Sequence, residues 1–120
     1  MALIFVVDDD PVVCRLARHI LQLAGHQVAI FYDGEEALAA LAHSTPDVVI
    51  TDLMMPRLNG MELLQRIRAD ERWAALPVVM LTARGGMNDR RLAEAAGVSH
   101  FLTKPFSSAQ LIDQIDKLCP

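Results

Sequence analysis

The chain has 120 residues, 52% of them apolar, and a net charge of −4 at pH 7. That length suits one domain with one core, and the acidic balance argues against direct nucleic-acid binding, which needs clustered Lys and Arg. The opening stretch Met1 to Val7 is too short to span a bilayer and lacks the basic start and cleavage pattern of a signal peptide, so a soluble cytoplasmic protein with no membrane role is expected.

Strand and helix patterns then alternate along the chain. Leu3–Val7 predicts a first strand. Asp10 is placed to cap the helix that follows, and Pro11 sits where a first helical turn tolerates it. Val13, Leu16, Ala17, Ile20 and Leu23 recur at helical spacing, and Gly25 stops that helix. Gln27–Phe31 predicts a second strand. Asp33-Gly34 opens a second helix with Ala37, Leu38 and Leu41 on its inner face, and Thr45-Pro46 breaks it. Asp47–Thr51 predicts a third strand, and residues 53 to 60 read as a loop by their Pro and Gly content. A third helix follows with Met61, Leu64 and Ile67 inward. Leu76-Pro77 leads into a fourth strand, Val78 to Leu81. Gly85-Gly86 marks a flexible loop, a short helix runs from about Met87 to Ala96, and Ser99–Leu102 predicts a fifth strand. Ser107 or Ser108 can cap a last helix carrying Leu111, Ile112, Ile115 and Leu118. The alternation predicts right-handed βαβ crossovers and a three-layer α/β/α sandwich. Cys14 and Cys119 read as free thiols in a reducing compartment. Arg66, Arg68, Arg84, Arg90 and Arg91 are interleaved with acids or scattered, and read as solvated helix faces.

The strand ends carry the chemistry. In a buried parallel sheet, reactive groups gather beyond the carboxyl ends of the strands. Those ends deliver Asp8 and Asp9, then Asp52, Thr82 and Lys104. A helix cap explains Asp10 but not Asp8 and Asp9, whose mutual repulsion at a strand end calls for a cation. Mg²⁺ suits such oxygen ligands and keeps waters that a phosphate can replace. The Asp52 carboxylate is then the group to be modified, by attack on phosphorus to form an acyl phosphate. The Thr82 hydroxyl can donate to a phosphoryl oxygen, and Lys104 supplies a positive charge opposite the carboxylates. A cis bond at Lys104-Pro105 fits a tight turn there.

Val-Val-Asp-Asp-Asp-Pro at the start, Asp-Leu-Met-Met-Pro-x-x-Asn-Gly at Asp52, Leu-Thr-Ala at Thr82 and Thr-Lys-Pro-Phe at Lys104 together resemble the receiver domain of two-component response regulators. The resemblance covers about residues 3 to 118 and implies one receiver domain over 1–120. It implies a five-stranded parallel sheet in order 2-1-3-4-5, the flavodoxin-like arrangement. It also implies Asp52 as phosphoacceptor, with Asp9 bound directly to Mg²⁺ (Mn²⁺ being an alternative) and Asp8 acting chiefly through a metal-bound water. The Met54 backbone carbonyl would complete the protein ligands. Thr82 would hydrogen-bond the phosphoryl group, Lys104 would pair with Asp52 and then with the phosphoryl oxygens, and Phe101 would be the switch aromatic. The implied partners are a sensor histidine kinase or phosphotransfer protein, and a downstream effector or covalently linked output domain. The implied role is signalling rather than enzymatic. The readout surface would lie around the fourth helix, fifth strand and fifth helix, with Phe101 rotating as Thr82 moves toward the phosphoryl group. Met54 and Arg84 occupy positions that tune water access in that family, so slow self-dephosphorylation is expected. The chain reads either as a stand-alone receiver or as one cut from a longer protein near Cys119-Pro120.

Three other readings compete. Asp8-x-Asp10 looks like the nucleophile motif of haloacid dehalogenase-type phosphohydrolases, but no later acidic pair follows a strand, since Asp113 and Asp116 fall in a helical pattern. A flavin domain of the same topology would need a phosphate cradle rich in Gly, Ser or Thr after the first strand, where this chain is acidic. A pure interaction module would leave Asp52 unmodified.

Overall fold

The computed structural model describes residues 2–83 and 87–119. The elements run β1 (Leu3–Val7), α1 (Pro11–Leu23), β2 (Gln27–Phe31), α2 (Gly34–Leu41), β3 (Val48–Asp52), α3 (Gly60–Ala69), a 3-10 turn (Glu71–Trp73), β4 (Val78–Thr82), α4 (Met87–Ala95), β5 (His100–Thr103) and α5 (Ser108–Leu118). Among the described residues, the strands form one five-stranded sheet in order β2-β1-β3-β4-β5. Every pairing is parallel, and the expected fold is the observed one. No helix of the described residues is long and apolar enough to cross a membrane. The Gly85-Gly86 loop expected from sequence lies outside the described residues.

Successive strand residues feed opposite core layers, as a pleated strand covered on both faces requires. Ile4, Val6, Ile50, Val79 and Leu81 pack with Ala17 and Leu21 of α1 and with Leu111 and Ile115 of α5. Phe5, Val7, Val49, Val78 and Met80 pack with Ala37 and Leu41 of α2, with Leu63, Leu64 and Ile67 of α3, and with Trp73. β3 and β4 are buried throughout. Each fully buried aliphatic side chain contributes about 1.5–3 kcal/mol, so these central strands anchor the fold.

The helices start where polar side chains cap them. Asp10 accepts from the Val12 amide, and Asp33 accepts from the Glu36 amide. Asn59 with Glu62, and Ser107 with Gln110, form capping boxes. Gly25, at φ 94°, turns the chain out of α1.

Helix phase departs from the sequence expectation in two places. In α1 the covered residues are Cys14, Ala17, Ile20 and Leu21, while Leu16 and Leu23 are 48% and 77% exposed. In α3, Leu63 is buried with Leu64 and Ile67, and Met61 is only half-buried. A helix with apolar residues on more than one side has no unique buried stripe by periodicity, and the sheet chooses which side it covers. Strand limits shift too: β3 begins at Val48 and extends through Asp52, and β5 begins at His100.

The loop after β3 folds back tightly. The Leu53 amide donates to the Leu81 carbonyl at 2.9 Å, and the Gly60 amide to the Leu53 carbonyl at 3.0 Å. A methyl group on Gly60 would overlap the carbonyl oxygen of Asp52, a backbone atom that cannot step aside. Gly60→Ala is therefore expected to destabilise the protein by about 2–3 kcal/mol, read as a lower urea midpoint with unchanged m-value; an unaltered midpoint would contradict the close approach.

Candidate functional site

Parallel register brings the strand ends together. Val7 of β1 lies opposite Thr51 of β3, so Asp8, next in the chain, comes level with Asp52. Asp52 lies opposite Leu81 of β4, with Thr82 one step beyond. Thr82 lies opposite Thr103 of β5, which sets Lys104 one step further again. Asp8 is in phase with Ile4 and Val6, and Asp52 with Val48 and Ile50, residues that all share one core layer. The two carboxylates therefore leave the sheet on the same side.

Asp8, Asp9 and Asp52 each offer a carboxylate oxygen, and these atoms all lie within 4.8 Å of one another. Asp8 is fully buried, Asp52 is 7% exposed, and Asp9 is open to solvent. One oxygen of Asp8 accepts from the Asp10 amide at 2.9 Å, and the other accepts from Lys104 Nζ at 2.7 Å. The same ammonium lies 3.4 Å from Asp52 Oδ1. Lys104 thus bridges two carboxylates, and the Lys104-Pro105 peptide is cis. Thr82 is buried. Asp52, Leu53, Met54, Thr82, Ala83, Asp89 and Lys104 line a cavity of about 510 Å³, which is ample for a phosphoryl group and its waters.

Burial raises the Asp52 carboxyl above the ordinary carboxylate range, and the Asp8 charge adds to it; Lys104 and the Met54 amide pull the other way and do not prevail. Burial alone would lower Lys104, but its hydrogen bond to Asp8 and the charges of Asp8 and Asp52 overcome this and raise it. Beneath the site, burial and the Asp8 charge push the Cys14 thiol up to about 11. It stays protonated, and its S–H donates to the Asp8 carbonyl at 3.2 Å. A cluster with three carboxylates and one ammonium retains excess negative charge. Its all-oxygen donors, one of them solvent-exposed, fit a hard divalent cation such as Mg²⁺.

Phe101 lies on β5, half-buried at the edge of the second core layer. The Arg90 guanidinium of α4 sits 5.3 Å from its ring centroid. Met54 is 74% exposed at the cavity wall. Arg84, expected to shape water access, lies outside the described residues.

Several participants were not legible as such. Asp89, half-buried in the first turn of α4, joins the cavity wall. Buried Asp33 pairs with Arg57 in the loop after β3, and Arg57 takes a left-handed backbone at φ 65°. The Glu36 amide and the Arg57 charge hold the Asp33 carboxyl below the usual range. The pair ties that loop to the start of α2. Arg68 corrects the reading of the arginines as solvated faces: its guanidinium donates to the carbonyls of Gly97 at 2.9 Å and Leu76 at 2.6 Å. Arg90 stays exposed, in keeping with that reading, and its guanidinium also lies over the Phe101 ring. Arginine at these positions is drawn by carbonyls and a ring that are distant in sequence, so no local pattern marks it.

The family profile of the response regulator receiver domain matches residues 4–116. The chain belongs to that family. As a receiver domain it is 36% identical to the DNA-binding dual master transcriptional regulator RpaA of Synechocystis, over 98% of this chain and 49% of RpaA. It is 33% identical to the protein PilG of Pseudomonas aeruginosa, over 98% of this chain and 87% of PilG. It is 38% identical to the response regulator MprA of a Mycobacterium, over 96% of this chain and 49% of MprA. The receiver thus spans about half the length of RpaA and MprA. Among solved structures it resembles the chemotaxis protein CheY4 of Vibrio cholerae, with a TM-score of 0.94 at 31% identity over 98% of both chains.

The raised Asp52 carboxyl has a consequence for stability. Between the ordinary carboxyl pKa and the raised folded value, the folded receiver holds a proton that the unfolded chain has lost, so this group's contribution falls as pH rises through that window. With divalent cations chelated, Asp52→Asn is expected to stabilise the protein at pH 7 by about 1 kcal/mol, or a Tm rise of about 3–5 °C. The gain should vanish below about pH 4, where both states carry the proton. Calorimetric melts across pH measure this, and a lower Tm for the variant at pH 7 would contradict it.

Proposed function

We propose that residues 1–120 form one receiver domain, with its core at 3–118, that accepts a phosphoryl group on Asp52 from a phosphohistidine of a partner protein. The bridging of Asp8 and Asp52 by Lys104, with Asp9 beside them, carries this reading. An oxygen of the Asp52 carboxylate attacks phosphorus, the phosphorus–nitrogen bond of the donor breaks, and the imidazole leaves with that electron pair. Asp8, Asp9, Asp52 and the Met54 carbonyl would hold Mg²⁺, or Mn²⁺ in its place, which would offset charge on the transferring oxygens. Lys104 moves its charge from the Asp52 carboxylate to the phosphoryl oxygens. The Thr82 hydroxyl donates to one of them, which draws Thr82 toward the cavity.

Thr82 and Phe101 form the switch. Displacement of Thr82 leaves room beneath α4, and the half-buried Phe101 ring rotates into it. The readout is the surface of α4, β5 and α5. Such a change needs only a few kcal/mol of differential interaction.

The donor is a histidine kinase or phosphotransfer protein. An exposed apolar stripe on α1 supports docking by such a partner: Val12, Leu16 and Leu23 are 62%, 48% and 77% exposed, and the stripe begins next to Asp9 and Asp10. The effector is a separate protein, or an output domain linked to the receiver as the greater length of RpaA and MprA suggests. The chain is assigned to the cytoplasm, where its two free thiols suit a reducing compartment. It is a signalling domain whose only turnover is slow self-dephosphorylation, with the exposed Met54 side chain shielding phosphorus from water.

Incubation with a small-molecule phosphodonor and Mg²⁺ should place one acid-labile, hydroxylamine-sensitive phosphoryl group on Asp52, seen by intact-mass spectrometry. Chelation of Mg²⁺, or Asp52→Ala, should abolish the labelling; label retained in Asp52→Ala would sink the assignment. Phosphate release from the loaded protein should be slow, and Met54→Asn should accelerate it by about three- to tenfold, up to about 1.4 kcal/mol of barrier. A phosphoryl lifetime of seconds that is unchanged in Met54→Asn would remove the shielding role.

A further inference from the structure

Asp89 and Arg90 are consecutive residues of the first turn of α4, and they reach two different places. Asp89 lines the acceptor cavity with Asp52, Thr82 and Lys104. Arg90 lies over the Phe101 ring and, with Glu94, Ser99 and His100, lines a second cavity of about 250 Å³ between α4 and β5. One helical turn therefore touches both the place where charge would be added and the ring that would report it.

We propose that this turn is an electrostatic coupler between the acceptor cavity and Phe101. Negative charge added at Asp52 repels Asp89, and the displaced turn draws Arg90 off the ring. The inference rests on the phosphoacceptor reading of Asp52 and adds a route that does not pass through Thr82.

Observations on both sides of the turn support it. A phosphoryl group in a cavity of this size lies within about one Debye length of Asp89, about 8 Å at physiological salt, so solvent ions screen the repulsion only in part. Lys104 has no charge to spare for Asp89, because Asp8 holds it at 2.7 Å and Asp52 lies at 3.4 Å. Among the described residues no ion pair neutralises Asp89. The positive end of the α4 dipole already carries Asp89 as its own anion, so an arriving phosphoryl group meets an occupied helix end. On the other side, Arg90 is exposed, and an exposed guanidinium holds a ring weakly. A small displacement is enough to release it. Glu94, one turn further along α4 in the same cavity wall, is the carboxylate that receives Arg90 when it leaves.

NMR on the full chain, with labelled Phe and Arg side chains and Mg²⁺ present throughout, tests the coupling with beryllofluoride added as the probe, so that loading adds negative charge alone. In the unaltered protein, the amides around Asp52, the Arg90 Nε and the Phe101 ring should all shift on loading. Asp89→Asn should load as well or about two- to fivefold more tightly, because a repulsive charge is gone. Its Asp52 amides should shift fully, while the Phe101 response falls to about half or less. Asp89→Glu should restore the response. Arg90→Gln should move the Phe101 resonances before any probe is added. A full Phe101 response in Asp89→Asn, or unmoved Phe101 resonances in unloaded Arg90→Gln, would overturn the coupling and leave the phosphoacceptor reading intact. No loading of the unaltered protein would instead overturn the phosphoacceptor reading, and the coupling with it.

Discussion

Two carboxylates that repel each other are held side by side by backbone register. The parallel pairing of β1 and β3 puts Asp8 level with Asp52, and neither can retreat without breaking the ladder that carries its strand. Like charges no more than 4.8 Å apart oppose each other by roughly 3 kcal/mol or more at an effective dielectric of about 20. Two buried aliphatic side chains outweigh that, at about 1.5–3 kcal/mol each, and Ile4, Val6, Val48 and Ile50 lie directly behind the pair. The core therefore imposes the repulsion. Lys104 offsets part of it, and the Asp52 carboxyl is still raised, first by burial and then by the Asp8 charge. A place so arranged has the charge and the oxygen donors that suit a divalent cation.

The surroundings divide into a rigid half and an adjustable half. On the rigid side, Cys14 donates to the Asp8 carbonyl, the Asp33–Arg57 pair ties the loop after β3 to α2, and Gly60 lets that loop press against Asp52. Each holds the backbone around Asp8 and Asp52 from a different element. On the adjustable side lie β5, with Phe101 only half-buried, and α4, whose Arg90 rests on that ring. In the long direction Arg68 links the end of α3 to the turn at Gly97 between α4 and β5, which ties down that end of α4. Motion beside a fixed acceptor is what a charge-driven switch requires.

Strand positions were legible because a strand buried on both faces is a short, nearly continuous apolar run, and β1, β3 and β4 have that composition. The caps at Asp10, Asp33 and Ser107 were legible because a cap is a contact between near neighbours. The helix faces were less so. α1 carries apolar residues on two sides, and only contact with the sheet decided that Cys14 and Leu21 go inward while Leu16 and Leu23 stay out.

Residue types at the strand ends were enough, read along the chain, to bring Asp8, Asp9, Asp52, Thr82 and Lys104 to one end of the sheet, because a charge or hydroxyl that ends an apolar run emerges where the strand ends. The chain alone could not say that Lys104 would reach Asp8 as well as Asp52, that Arg57 would close on Asp33, or that adjacent Asp89 and Arg90 would face two different cavities. The first two depend on groups 24 to 96 residues apart meeting at hydrogen-bond distance, and the third on where α4 packs against the sheet. Periodicity reports only which side of an element is apolar; distances between elements are set by the register of the sheet and the packing of the helices upon it.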